Sequence, residues 1–263
     1  MSGKRILITG GSSGIGFELA RALMAHGGRV LITGRRIDYV TNAVQRLAAD
    51  GDISGVVADV TTPEGRAASL SHAHDAFGGL DILINNAGGV RAGRLNALSE
   101  DEIRAMIEVN LTGPMLLTRA ALPSLRKSGQ GLIVNVSSGI ALLALPFYTA
   151  YAATKAGIAS FGEALRRELA GEGIDVLTLF PTATDTPMMK TSGMHPPNGR
   201  ESAADVARET VEAIVANRRE VVRGDADRLA MIATNKADPA AVDAALQPMK
   251  EALERAAVDH SAL

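Results

Sequence analysis

Short, continuously apolar runs recur along the chain at residues 5–9, 30–33, 55–58, 81–85, 132–136 and 176–180, and stretches of helical periodicity separate them. That alternation reads as repeated strand–helix–strand units. Because the runs lack polar alternation, both faces of each strand must be covered, as in a parallel sheet flanked by helices. The pattern therefore predicts an α/β fold in three layers, a doubly wound parallel sheet in one domain over residues 1–224. Two stretches break the rhythm. Residues 186–202 carry Met, Gly and Pro without periodicity, long for an idle loop, and read as a substrate lid. After a helix near 202–217 and a strand at 220–223, residues 225–263 read as two helical pieces. They form a C-terminal extension packed on the same domain and serve packing or subunit contact.

Composition removes several alternatives. The 263 residues are 46% hydrophobic and 21% charged, which suits a globular domain and excludes a disordered chain, a coiled coil or a collagen-like fibre. With Lys+Arg 27 against Asp+Glu 29, no Trp and no polybasic block, nucleic acid is not an expected partner. The absence of Cys excludes disulfides, thiolate metal sites and a cysteine nucleophile. His72 and His74, two apart on a helix, diverge and lack a carboxylate cluster, so no metal site is expected. The first apolar run is too short for a signal segment or a membrane span, so the expectation is a soluble, cytoplasmic protein.

The first strand runs into Thr9-Gly10-Gly11-Ser12-Ser13-Gly14-Ile15-Gly16, and helical periodicity starts at once. Glycines there permit positive φ and let backbone amides approach a pyrophosphate, to which a helix N-terminus adds partial positive charge. A glycine-rich turn alone is weak; its position between first strand and first helix makes it a dinucleotide site. In such a Rossmann unit the end of the second strand meets the adenosine ribose. Here it offers Gly34-Arg35-Arg36 and no acidic residue. Charge-assisted hydrogen bonds of ~1.5–3 kcal/mol would let Arg35 favour a 2′-phosphate about tenfold to a hundredfold. The expected cofactor is NADP(H); the bland alternative is a solvated strand end. Asp38 can serve as a displaced ribose ligand, but its place suits a helix N-cap better.

Tyr151 and Lys155 lie four apart at the start of a helix, on one face. An ordinary phenol is only ~0.1% ionised at neutral pH. A cation ~5 Å away at an effective dielectric of about 20 supplies ~3.3 kcal/mol, some two and a half pKa units. The spacing thus predicts a phenol lowered toward a working acid/base. Ser138, at the end of the strand Val134-Asn135-Val136, sits at the C-terminal sheet edge where ligands bind, and its hydroxyl can hold a substrate oxygen facing the phenol. Without the Tyr–Lys pair, Ser137 and Ser138 would read as turn formers.

These elements occur in an order that resembles the short-chain dehydrogenase/reductase family: Thr9-Gly10-x-x-x-Gly14-Ile15-Gly16, Asp59-Val60, Asn85-Asn86-Ala87-Gly88, Asn110, Ser138, Tyr151-x-x-x-Lys155 and Pro181-x-x-x-x-Thr186. The resemblance runs from Lys4 to about Met189 and more loosely to Arg223. It implies hydride transfer between a nicotinamide and a carbonyl or alcohol, with Tyr151 as acid/base, Ser138 orienting the substrate oxygen and Lys155 also holding the nicotinamide ribose. It further implies cofactor contacts from Gly10, Ser12, Ser13, Gly14, Ile15 and Gly16, from Asp59 and Val60 at the adenine, from Asn86 and Gly88 on the ribose side, and from Pro181, Thr184 and Thr186 at the carboxamide and phosphates. Asn110 is similar to a proton-relay member acting through its carbonyl. Pro114, lacking an N–H, is expected to kink the helix and leave that carbonyl free, though a kink for packing alone fits the residue equally. One departure stands out, Thr182 where the family has glycine, which predicts an altered backbone path there. Gly89, Val90, Leu142, Leu143 and Met188 suggest an apolar mouth for a medium-sized hydrophobic ketone or alcohol; His195 in the lid reads as loop decoration. The family also suggests a homodimer or homotetramer through helices around 100–126 and 149–171. A catalytically silent NADP(H)-binding sensor or scaffold is the rival, disfavoured because it has no need of a phenol poised beside an ammonium.

Overall fold

The computed structural model describes residues 1–196 and 199–263, so Pro197 and Asn198 of the expected lid lie outside the described residues. In chain order the elements that build the sheet and its flanks are β1 (Arg5–Thr9), α1 (Gly14–Ala25), β2 (Arg29–Gly34), α2 (Ile37–Leu47), β3 (Ile53–Val57), α3 (Pro63–Phe77), β4 (Ile82–Asn85) and the short β5 (Val90–Arg91). They continue with α4 (Glu100–Ile107), α5 (Gly113–Lys127), β6 (Gly131–Val136), α6 (Thr149–Glu168), β7 (Ile174–Phe180), β8 (Thr184–Asp185), β9 (Glu201–Ser202), α7 (Ala203–Val215) and β10 (Glu220–Val222). The chain closes with α8 (Ala226–Ala237), α9 (Pro239–Leu246), α10 (Lys250–Ala257) and β11 (Ser261–Ala262).

Among the described residues, seven strands form one parallel sheet in the order β10-β7-β6-β4-β1-β2-β3. The order reverses between β1 and β4, which opens a crevice at their C-terminal ends. The apolar runs explain the layering. Ile6, Ile8, Val30, Ile32, Ile82 and Ile84 pack on one face with Leu19 and Leu23 of α1 and Val206 and Val211 of α7. Leu7, Leu31, Leu83 and Ile133 pack on the other with Phe77 of α3, Leu117 and Leu125 of α5 and Leu165 of α6. Alternate residues of one strand thus feed two separate cores, so neither face tolerates a polar register. The result is a single-domain Rossmann-like α/β fold.

Three local expectations change. Arg36, not Asp38, occupies the N-cap of α2, and Asp38 falls in its first turn, where a carboxylate favours the helix dipole. Helices α4 and α5 are joined without a break by a π turn over Glu108–Thr112, where the Gly113 N–H reaches the Glu108 carbonyl. The irregularity is thus a π turn, and Pro114, the second residue of α5, has no N–H to offer the Asn110 carbonyl four residues back. The C-terminal extension has three helices rather than two, because Pro239 and Pro248 each open a new helical turn. It ends in β11, which pairs antiparallel with β5.

Candidate active site

One cleft of about 1070 Å³ runs along the C-terminal edge of the sheet. Its first end is the glycine turn, where Gly10 and Gly14 adopt φ of 65° and 56°. Thr9 Oγ1 accepts from the Asn86 and Ala87 backbone N–H groups, and Asn86 Nδ2 donates to the Thr9 and Gly10 carbonyls at 2.9 and 3.0 Å. The turn after β1 is therefore clamped to the loop after β4. Ser13, at the N-cap of α1, makes no side-chain cap bond, so the helix's first N–H groups are left for an acceptor in the cleft. Gly10, Ser12, Ser13 and Ile15 line the cleft wall there, with Arg35, Arg36, Asp59 and Val60 beyond them. Gly14 and Gly16 do not line the cleft: Gly14 lies against Thr186, and Gly16 backs onto the Asn86 carboxamide. Arg35 and Arg36 are exposed, and the Arg36 guanidinium stacks 3.6 Å over the Tyr39 ring, which limits its freedom. Asp59 is engaged by Thr61, whose N–H and hydroxyl donate to Asp59 Oδ1 at 2.9 and 2.8 Å.

At the other end Ser138, Tyr151 and Lys155 line the same cleft, with Asn86, Gly88, Pro181, Thr184 and Thr186 between. Lys155 is 4% exposed; its Nζ donates to the Val136 carbonyl at 3.0 Å and lies 5.8 Å from the centroid of the Tyr151 ring. Ser137 is not a free hydroxyl, since it donates to the Lys155 carbonyl at 2.7 Å and ties α6 to β6. Gly88 is the close approach of the loop: a Cβ there would meet Asn110 Oδ1 at 2.9 Å and Lys155 Nζ at 3.4 Å. Asn110 does not reach the cleft wall. Its side chain accepts from the Gly89 N–H and donates to the Gly89 carbonyl and Thr154 Oγ1, at 3.0, 2.8 and 3.1 Å. It thereby fixes the loop bearing Gly88 to the helix bearing Tyr151.

The electrostatics differ from the expectation of a lowered phenol. Burial pushes Tyr151 up to about 12, opposed by the Ser138 hydroxyl and reinforced by Tyr148. Burial also pulls Lys155 down to about 8. For both groups burial is the largest influence, so desolvation of the charged form prevails. A phenol in this state is protonated at neutral pH.

Thr182 stays out of the positive-φ region that a β-branched residue disfavours. Among the described residues positive φ outside glycine occurs only at Phe147 and Asn217, and the Pro181 carbonyl accepts from Gly139 N–H at 2.8 Å. Val90, Leu143, Met188 and His195 line the cleft as part of its mouth, but Leu142 does not. Gly89 is covered by Ala262 and Leu263. Sequence reasoning missed what the C-terminus does. His260 is buried, within 2.9 Å of the Tyr148 hydroxyl through Nδ1 and 3.1 Å of the Met188 carbonyl through Nε2. The Tyr148 ring stands edge-on to Tyr151 with centroids 6.5 Å apart. Leu253, Ala256 and His260 roof the substrate end. Tyr148, three residues before Tyr151, was the only hint.

The family model for short chain dehydrogenase matches residues 4–196. The chain belongs to the short-chain dehydrogenase family. Two of its relatives are the 3-oxoacyl-[acyl-carrier-protein] reductase of Vibrio cholerae, 36% identical over 72% of this chain and 77% of that protein, and an oxidoreductase of Staphylococcus aureus, 34% identical over 73% and 82%. Among solved structures, an actinorhodin polyketide ketoreductase with NADPH superposes with a TM-score of 0.77 at 27% identity, covering 83% of this chain and 94% of that one. The 3-ketoacyl-(acyl-carrier-protein) reductase of Brucella melitensis with NADH does so with 0.78 at 27%, covering 86% and 98%. This short-chain dehydrogenase is thus an NAD(P)-dependent oxidoreductase of the class acting on CH–OH and C=O groups, with small molecules as substrates. No described helix is long and apolar enough to cross a membrane.

Proposed function

We propose that this chain interconverts a carbonyl and an alcohol with NADP(H). The observation that carries the reading is one continuous cleft with an uncapped helix N-terminus and two arginines at one end and Ser138, Tyr151 and Lys155 at the other. The residues fit the cofactor. The free N–H groups of α1 suit a pyrophosphate, and Arg35 and Arg36, with no carboxylate at the end of β2, suit a 2′-phosphate. Asp59 and Val60 flank the adenine position, while Gly88, Lys155, Pro181, Thr184 and Thr186 border the nicotinamide half. When bound, the dinucleotide supplies or accepts the hydride.

The chain's own residues do the rest. Ser138 donates to the substrate oxygen and fixes it before the phenol. In reduction Tyr151, protonated at neutral pH, gives its proton to that oxygen as negative charge builds there; in oxidation it takes the proton back. Lys155 stabilises the resulting phenolate and holds the ribose, and Asn110 keeps Gly88 and α6 in register. The mouth formed by Val90, Leu143 and Met188 favours a medium-sized hydrophobic ketone or alcohol, and thioether side chains accommodate varied shapes. Exposed Ile107 and Met115 on the α4–α5 face support assembly into a dimer or tetramer.

The cofactor assignment is tested by measuring affinity for NADPH and NADH in the wild type and in Arg35→Ala. Wild type should favour NADPH about tenfold to a hundredfold, and Arg35→Ala should lose most of that ratio. A wild type that prefers NADH ends the NADP reading.

A further inference from the structure

The turn that leads into α6 is strained. Phe147 adopts φ of 70°, a region that a bulky residue rarely enters and keeps only where its surroundings over-determine it. Here two separate segments do so. The Phe147 carbonyl accepts from the Gly93 N–H at 2.7 Å. Its ring centroid lies 5.8 Å from the Arg94 guanidinium, which pairs through Nε and Nη2 with Glu254 of α10. Phe147, Tyr148 and Ala152 share one apolar cluster with Val90, Leu253 and Ala257, and Tyr151 packs against it. The C-terminal extension thus helps to hold the segment that starts the helix bearing the phenol.

His260 supplies the polar part of that hold. Its Nε2 lies 3.1 Å from the Met188 carbonyl, which only accepts, so Nε2 carries a proton. Burial, with Arg200 and Arg91 nearby, keeps the imidazole below its ordinary pKa against the opposing Met188 bond, so the ring is neutral at pH 7 and Nδ1 is a bare acceptor. The Tyr148 hydroxyl, 2.9 Å away, therefore donates to it. The Ser192 hydroxyl bonds the same phenol oxygen. Tyr148 is 4% exposed, and its ring stands edge-on to both neighbours, with centroids 5.7 Å from His260 and 6.5 Å from Tyr151. Along α6 the Tyr151 carbonyl accepts from Thr154 Oγ1 at 2.8 Å, and Thr154 in turn accepts from Asn110. We propose that His260 is a positioning residue: through the Tyr148 hydroxyl it fixes the ring against which Tyr151 packs, and so sets the aim of the phenol at the substrate oxygen beside Ser138. A small misplacement of reacting groups is felt in the rate of reaction, whereas the cofactor lies along the rest of the cleft. This role rests on the hydride-transfer reading above.

The test measures single-turnover hydride transfer from saturating NADPH to a saturating, medium-sized hydrophobic ketone, and NADPH affinity without the ketone, in the full chain. Tyr148→Phe and His260→Ala should each slow transfer about threefold to tenfold, as loss of one hydrogen bond between neutral partners predicts, with NADPH affinity unchanged. The double variant should be no slower than the slower single one, because both substitutions remove the same bond. His260→Asn, whose Oδ1 stands where Nδ1 was, should recover most of the rate. A wild-type rate in Tyr148→Phe, losses that multiply in the double variant, a parallel loss of NADPH affinity, or no recovery in His260→Asn overturns the assignment. Should His260→Ala fail to fold, Tyr148→Phe, which keeps the ring and its packing, carries the comparison. Transfer that these variants leave untouched removes only the role of His260; no transfer to any ketone by the wild type removes the hydride-transfer reading and this inference with it.

Discussion

Gly16→Ala puts two physical effects in opposition at the cofactor turn. Gly16 is the third residue of α1, and alanine there gains about 0.8–1.0 kcal/mol of helix propensity. The added methyl, however, would lie 2.4 Å from Asn86 Nδ2 and 2.7 Å from the Gly10 carbonyl oxygen. The oxygen belongs to the backbone of the turn and cannot yield alone. Displacing the carboxamide breaks its bonds to the Thr9 and Gly10 carbonyls. Overpacking costs about 1–3 kcal/mol, and the two lost hydrogen bonds about 0.5–1.5 kcal/mol each. Sterics should win, with a net loss of about 1–5 kcal/mol and a fall in Tm of about 2–4 °C per kcal/mol. Urea unfolding of the wild type, Gly16→Ala, Asn86→Ala and the double variant measures this. The second substitution should cost less in the presence of the first, because the clash is with the side chain it removes. Gly16→Ala as stable as the wild type would refute the claim that the glycine is there for close approach.

Lys155, pulled down to about 8, should set the pH dependence of ketone reduction. Since Tyr151 at about 12 stays protonated, kcat/KM should be flat below about pH 8 and fall above it as the ammonium loses its charge. In Lys155→Arg the fall should move to higher pH. Linkage has the matching sign: between about 8 and the ordinary 10.5 the unfolded lysine binds more protons than the folded one, so denaturation titrations should show stability rising with pH in that window. His260→Ala removes a partner of the Tyr148 hydroxyl and the bond to the Met188 carbonyl, so the tail should loosen, with a loss of about 1–3 kcal/mol in stability. Hydrogen exchange should quicken at Val90, Arg91 and Ala92, and an unchanged exchange pattern would mean that the tail is held without the histidine.

Much of this was legible because the decisive residues are local in sequence. Continuous apolar runs mark strands buried on both faces, and the glycine turn, the Tyr–Lys spacing and the strand-end Ser138 each sit within one strand–turn–helix step. What was hidden depends on distance along the chain or on burial. The Tyr151 shift turns on how deeply the fold buries the phenol, which spacing does not reveal. The role of Asn110 as a tie between Gly89 and Thr154 needs two elements brought together by the fold. His260 and Arg228 reach the cleft from an Ala- and Leu-rich tail whose composition signals only helices. Thr182 avoids positive φ, as a β-branched residue is expected to.

In the proposed function Tyr151 delivers the proton while hydride passes between cofactor and carbonyl in this cleft. Single-turnover transfer of deuterium from C4-labelled NADPH to a ketone, followed in the wild type and in Tyr151→Phe, tests it most directly. The wild type should yield labelled alcohol, and Tyr151→Phe a rate lower by about 10²–10⁴, with NADPH still bound. Equal rates in the two proteins would contradict it.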